Sequence, residues 1–193
     1  MPCPYNGLCG IDISTKSRVP RLAPIKLGIR MRRAYIKKIL IEHGIRPSKR
    51  LGQSFLTSES IAERIVDSGG IHSEDQVLEI GAGLGILTER IAEKAKQVLS
   101  VEIDPRLFMI LKERFLNDKR IVLLKGDILK LNLKEISQEW GGRIKVMGNL
   151  PYSITKPLLR KLLENFQSVE STVVTVQEEV ARRICGNPRQ SKK

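Results

Sequence analysis

Apolar residues fall along this chain in short bursts separated by stretches of helical spacing. Gln76-Val77-Leu78-Glu79-Ile80, Gln97-Val98-Leu99-Ser100-Val101-Glu102, Ile121–Leu124, Ile144–Gly148 and Ser171–Val176 are short apolar runs rich in β-branched residues, the pattern of strands buried on both faces. Between them Leu84, Leu87, Ile91, Ala92 and Ala95 recur at helical spacing, and Leu107, Leu111 and Phe115 do so further on. Pro105 suits the first turn of that second helix. After Pro157, residues Leu158, Leu159, Leu162, Leu163 and Phe166 mark another helix, and one more begins over Gln177 to Ile184. Strand alternating with helix predicts an α/β fold, a Rossmann-like parallel sheet with helices on both faces.

The junction after the first strand carries the first chemical signal. Gly81-Ala82-Gly83-Leu84-Gly85 stands between strand and helix, where residues without a Cβ let a ligand lie against the backbone and the helix start offers unpaired amides. Dinucleotide dehydrogenases use a similar turn spelled G-x-G-x-x-G. Here the third glycine comes one residue early, at Gly85, and Ile86 takes its place. The acid before the turn, Glu79, would repel a pyrophosphate and suits the cationic methionine portion of S-adenosylmethionine.

Acids follow the next two strands. Glu102 ends the second, the position from which a carboxylate bonds a ribose diol. Gly126-Asp127 follows the third, where Asp127 can accept from an adenine amine beside Ile128. Either acid alone would read as a solvated strand end or a helix cap. Two of them after a glycine turn describe a nucleoside pocket.

The fourth strand delivers Asn149-Leu150-Pro151-Tyr152 to the same carboxyl edge, where open α/β sheets place their ligands. An adenine amine is a poor nucleophile, because its lone pair is delocalised into the ring. A catalyst should accept hydrogen bonds from the amine and favour a pyramidal nitrogen. The Asn149 side-chain carbonyl and the Leu150 main-chain carbonyl can do this, Pro151 fixes the direction of the latter, and Tyr152 offers a ring for stacking. A sulfonium methyl is electrophilic enough that positioning replaces a catalytic histidine.

Together Arg50-Leu51-Gly52-Gln53-Ser54-Phe55-Leu56, the glycine turn, Glu102, Gly126-Asp127 and Asn149–Tyr152 resemble the small-subunit ribosomal RNA adenine dimethyltransferases, from about Ile45 to the end of the chain. The resemblance implies a class I methyltransferase sheet, S-adenosylmethionine as cofactor, and dimethylation of adenines in small-subunit ribosomal RNA during ribosome biogenesis. It further implies cofactor contacts from Ser54 and Leu56, beside Gly81, Glu102, Asp127 and Asn149, and the turn itself adds Gly83. The family commonly has Asn or His where this chain has Ser54, so a main-chain contact is expected there. Relatives that methylate large-subunit RNA usually carry Ile in place of Leu150, which favours the small-subunit branch.

Charge adds an RNA argument. The chain holds 34 Lys and Arg against 21 acids, a net +13. Positions 1–50 carry twelve of the bases and two of the acids. Arg30, Arg32, Arg33, Lys37, Lys38, Arg46, Lys49 and Arg50 are placed to neutralise phosphates near the site. Residues 1–30, with four prolines and a single acid, read as a basic disordered arm ahead of a methyltransferase domain over 31–193. With no apolar run for a membrane span or signal peptide, a cytoplasmic monomer is expected. Cys3, Cys9 and Cys185 have neither a disulfide framework nor metal spacing, and no metal site is expected.

By resemblance, two further strands and a helical domain would follow the fifth strand, so a truncated chain of modest stability and weak activity is expected. Three readings remain open on sequence alone: the methyltransferase, a non-catalytic RNA-binding assembly factor with the same fold, and a nicotinamide dehydrogenase.

Overall fold

The computed structural model describes residues 33–45 and 55–186. Five strands, β1 (Gln76–Ile80), β2 (Gln97–Glu102), β3 (Ile121–Lys125), β4 (Ile144–Asn149) and β5 (Val169–Thr175), form one sheet in the order β3-β2-β1-β4-β5. All four pairings are parallel. Such a sheet buries both faces, which is why its inner strands β1, β2 and β4 are largely apolar runs without alternation.

Helices cover the two faces. On one lie α1 (Arg33–Glu42), α2 (Glu59–Ser68), α3 (Ile86–Lys94) and α4 (Pro105–Arg114), whose buried residues pack on Val77, Val98 and Met147. On the other lie α5 (Leu133–Glu139) and α6 (Tyr152–Glu164), packed on Leu78, Ile80, Leu99, Val101, Ile144 and Val146. The short helix α7 (Glu178–Cys185) follows β5. Pro105 does occupy the first turn of α4, behind an Asp104 cap that accepts from the Arg106 amide at 3.0 Å.

Pro157 does not begin a helix. It lies inside α6, which starts five residues earlier at Tyr152 behind Pro151. Proline lacks the amide that would reach back one turn, but Thr155, Leu158 and Leu162 are buried and hold the helix on the sheet across the break. Tertiary packing therefore overrides the local signal. Strands β3 and β5 end at Lys125 and Thr175, one residue beyond and one residue short of the expected limits.

The order places β1 centrally with β2 and β4 on either side. Chain connections leave β1 and β4 in opposite directions, opening the crevice at their carboxyl ends where such sheets hold ligands. Gly148 sits opposite Ile80 there. A Cβ on Gly148 would come within 2.7 Å of the Ile80 carbonyl oxygen, so its glycine lets β1 and β4 close at the crevice floor.

Candidate active site

The turn after β1 is wound through positive φ at Gly81 (73°) and Gly83 (59°). The Gly81 amide donates to the Val101 carbonyl at 2.9 Å. The Gly83 amide donates to Glu102 Oε2 at 2.8 Å, and the Asp104 amide donates to Glu102 Oε1 at 2.8 Å. Glu102 thus ties the glycine turn to the loop after β2 while still forming part of the cavity wall. Burial raises its pKa above the ordinary value, opposed by the amides that bond the ionised form. A carboxylate has about four lone-pair sites, so acceptors remain for a ligand diol.

Asp127 reaches the same cavity from the end of β3, accepting from the Leu129 amide at 2.9 Å as it caps a short 3-10 turn, Ile128–Lys130. Ile128 and Ile103 add apolar wall on either side. From β4 come Asn149 and Pro151, with Leu56 and Phe55 closing from the segment before α2. The Phe55 ring lies 3.6 Å from where a Cβ on Gly83 would be. Gly81, Gly83, Leu56, Glu102, Asp127, Ile128 and Asn149 therefore converge on one cavity at the carboxyl edge of the sheet.

Glu79 does not join them. Its side chain is 1% exposed, outside the cavity wall, and its Oε2 accepts from Thr88 Oγ1 at 2.6 Å and Ser100 Oγ at 2.5 Å. Glu79 sits beneath the turn between β1, β2 and α3, and its Oε1 is buried without a hydrogen-bond partner among the described residues. Desolvation pushes its pKa up to about 7, against the opposing pull of the Ser100 and Thr88 hydroxyls. A carboxyl at that value is no fixed anion at neutral pH. The repulsion of phosphate expected from Glu79 falls instead to Glu102 and Asp127. Among the described residues no Lys, Arg or His lines the cavity, so nothing there would neutralise a pyrophosphate.

The buried Glu79 carboxyl has a pH signature. Its folded pKa lies above the ordinary 4.5, so folding takes up a proton between the two values and this group's contribution to stability falls as pH rises from about 4.5 to about 7. The stability difference between wild type and Glu79→Gln should decline across that window, by at most about 1.4 kcal/mol per pH unit. Denaturant titrations at several pH values would measure it, and parallel wild-type and variant curves would contradict the assignment.

Leu150 and Tyr152 are placed differently from Asn149 and Pro151. Leu150 is buried, and its amide donates to the Thr175 carbonyl at 3.0 Å. Tyr152 is 53% exposed, outside the cavity, on a neighbouring groove that shares Ser153 with it. Ser54 and the basic residues Arg30, Arg32, Arg46, Lys49 and Arg50 lie outside the described residues; Lys37 and Lys38 are exposed on α1.

A profile of the ribosomal RNA adenine dimethylases matches residues 45–193. The chain belongs to that family. Ribosomal RNA small subunit methyltransferase A of Syntrophus aciditrophicus is 39% identical over 155 residues, covering 80% of this chain and 55% of the relative. The protein of the same name from Leuconostoc citreum is 44% identical over 149 residues, covering 76% and 50%. The chain thus spans about half the length of these relatives. Among solved structures, a dimethyladenosine transferase from Plasmodium falciparum superposes with a TM-score of 0.61 at 30% identity, over 69% of this chain and 47% of that one. The 23S rRNA methyltransferase ErmE gives 0.60 at 31%, over 67% and 50%.

In this dimethylase chain, Ile103, Phe55 and Thr175 have no role that the sequence alone assigns. Phe55 follows Arg50–Ser54 in the sequence, and its ring covers Gly83. Thr175 donates its hydroxyl to Asn149 Oδ1 at 2.5 Å. The signal for Thr175 is a hydroxyl residue after Val173 and Val174, at the end of the strand beside the one that ends in Asn149.

Proposed function

We propose that this chain binds S-adenosylmethionine in the cavity at the carboxyl edge of the sheet and dimethylates the exocyclic amines of adenines in small-subunit ribosomal RNA. The observation that carries the proposal is the convergence of the glycine turn, Glu102, Asp127 and Asn149 on one cavity walled, among the described residues, by two carboxylates and no cation. Such walls suit a cationic nucleoside without phosphate. Glu102 would hold the ribose diol, Asp127 the adenine amine, and Ile103 and Ile128 the faces of the base. Leu56 and the turn glycines would bound the amino-acid end, with Ser54 adding a main-chain contact.

When bound, S-adenosylmethionine supplies an electrophilic methyl group on a sulfonium. Asn149 Oδ1 and the Leu150 carbonyl accept hydrogens from the adenine amine and favour its pyramidal form. Pro151, at φ −70° and ψ 148°, holds the second carbonyl in a fixed direction. Tyr152, exposed on the neighbouring groove, offers its ring to stack a base. The target is an immature small ribosomal subunit in the cytoplasm, held as a complex with one monomer of this protein. The basic residues of positions 30–50, where the arm over 1–30 meets the start of the domain over 31–193, bind its phosphates.

Titration calorimetry with S-adenosylmethionine and a nicotinamide dinucleotide separates the ligand classes. Saturable binding of the first and none of the second is expected; the reverse would remove the methyltransferase reading.

A further inference from the structure

The Asn149 amide is held by a residue that does not touch the cavity. In the β4–β5 pairing Asn149 stands directly opposite Thr175. Two hydrogen bonds join the strands at this point: the Leu150 amide donates to the Thr175 carbonyl at 3.0 Å, and the Thr175 hydroxyl donates to Asn149 Oδ1 at 2.5 Å. Asn149 is part of the cavity wall and Thr175 is not.

The terminal torsion of asparagine is broad and roughly two-fold, so the side chain alone does not decide whether carbonyl or NH2 faces a ligand. Threonine is stiff at χ1, and here its main chain is fixed by the ladder. Its hydroxyl sets the carbonyl end of Asn149 toward β5 and occupies one of the two lone pairs on Oδ1. A carbonyl oxygen can accept two hydrogen bonds, so the bond from Thr175 does not by itself close Oδ1 to an amine hydrogen. The flipped amide would present a donor to a donor, and acceptance from the adenine amine would be lost.

We infer that Thr175 is a positioning residue for methyl transfer, fixing the Asn149 amide in the one orientation that accepts from the target amine. This rests on the function proposed above. Thr175→Val keeps the branched shape and removes the donor; Thr175→Ser keeps the donor and removes the methyl group. The test compares both with the wild-type chain, using labelled S-adenosylmethionine and unmethylated small ribosomal subunits.

Thr175→Val should lower kcat about 10-fold or more, the scale of a misdirected reacting group. KM for the subunit and the affinity for S-adenosylmethionine should stay within about twofold, because Thr175 contacts neither ligand. Thr175→Ser should recover kcat to within about threefold of wild type. If Thr175→Val fails to fold, by its melting curve, Thr175→Ala takes its place with the same split required. Wild-type kcat in the hydroxyl-free variant would overturn the inference, as would an equal loss in Thr175→Ser, which would make the effect one of packing. A wild-type chain that binds S-adenosylmethionine but transfers no methyl group would bring down the function proposal and this inference together. An active wild type matched by Thr175→Val would bring down the inference alone.

Discussion

Replacing Asn149 by alanine is expected to lower methyl incorporation into unmethylated small subunits by about 10²- to 10³-fold. This is the size of the loss when one preorganised dipole is removed from a transition-state site. The amide lies at the end of β4 on the cavity wall, with its carbonyl held by Thr175. Alanine removes the acceptor and leaves the glycine turn and the Glu102 bonds in place. Affinity for S-adenosylmethionine should fall as well, because Asn149 lines the cofactor cavity, but the larger part of the loss should fall on kcat. Single-turnover assays at saturating cofactor would measure it. Equal incorporation by wild type and variant would remove Asn149 from the chemistry.

The largest effect on stability is expected at Gly85, whose φ is +79°. A Cβ there would meet the Phe115 ring at 2.5 Å and Leu111 at 2.9 Å, both buried on or beside α4. The left-handed backbone costs a non-glycine residue about 1–2 kcal/mol, and overpacking adds about 1–3 kcal/mol. Gly85→Ala should thus lower the melting temperature by roughly 6–12 °C at a mid-range cost near 3 kcal/mol, for a domain of this size. Gly70→Ala is the control. Its φ is +52° and nothing lies within 4 Å of the added Cβ, so it bears the backbone cost alone. Equal melting temperatures for the two variants would show that Phe115 and Leu111 make room.

The same glycine shows where sequence and structure part. The early Gly85 was read as a departure from the dinucleotide fingerprint, and that reading stands beside a steric one: the residue is small because α4 packs against it. The sheet itself was legible because strands buried on both faces leave uninterrupted apolar runs, and β1, β2 and β4 are such runs. Glu79 was harder. Its position before the turn suggests a ligand contact, whereas Thr88 on α3 and Ser100 on β2 bond its Oε2, and no spacing within one strand reveals partners on two other elements. Thr175 was obscure for the same reason, since its meaning depends on the register of β5 against β4. Pro157 misled because a local rule about helix starts yields to the burial of Leu158 and Leu162.

Membership of the dimethylase family rests on sequence and fold, and the chemistry rests on what Asn149 and its neighbours can do to an adenine amine. The most direct measurement is the identity of the methylated nucleoside. The chain would be incubated with methyl-labelled S-adenosylmethionine and unmethylated small ribosomal subunits, and the RNA digested and resolved by mass spectrometry. Label in N6,N6-dimethyladenosine is the predicted result. Cofactor binding with no labelled adenine would contradict the account and make this fold a non-catalytic RNA-binding one.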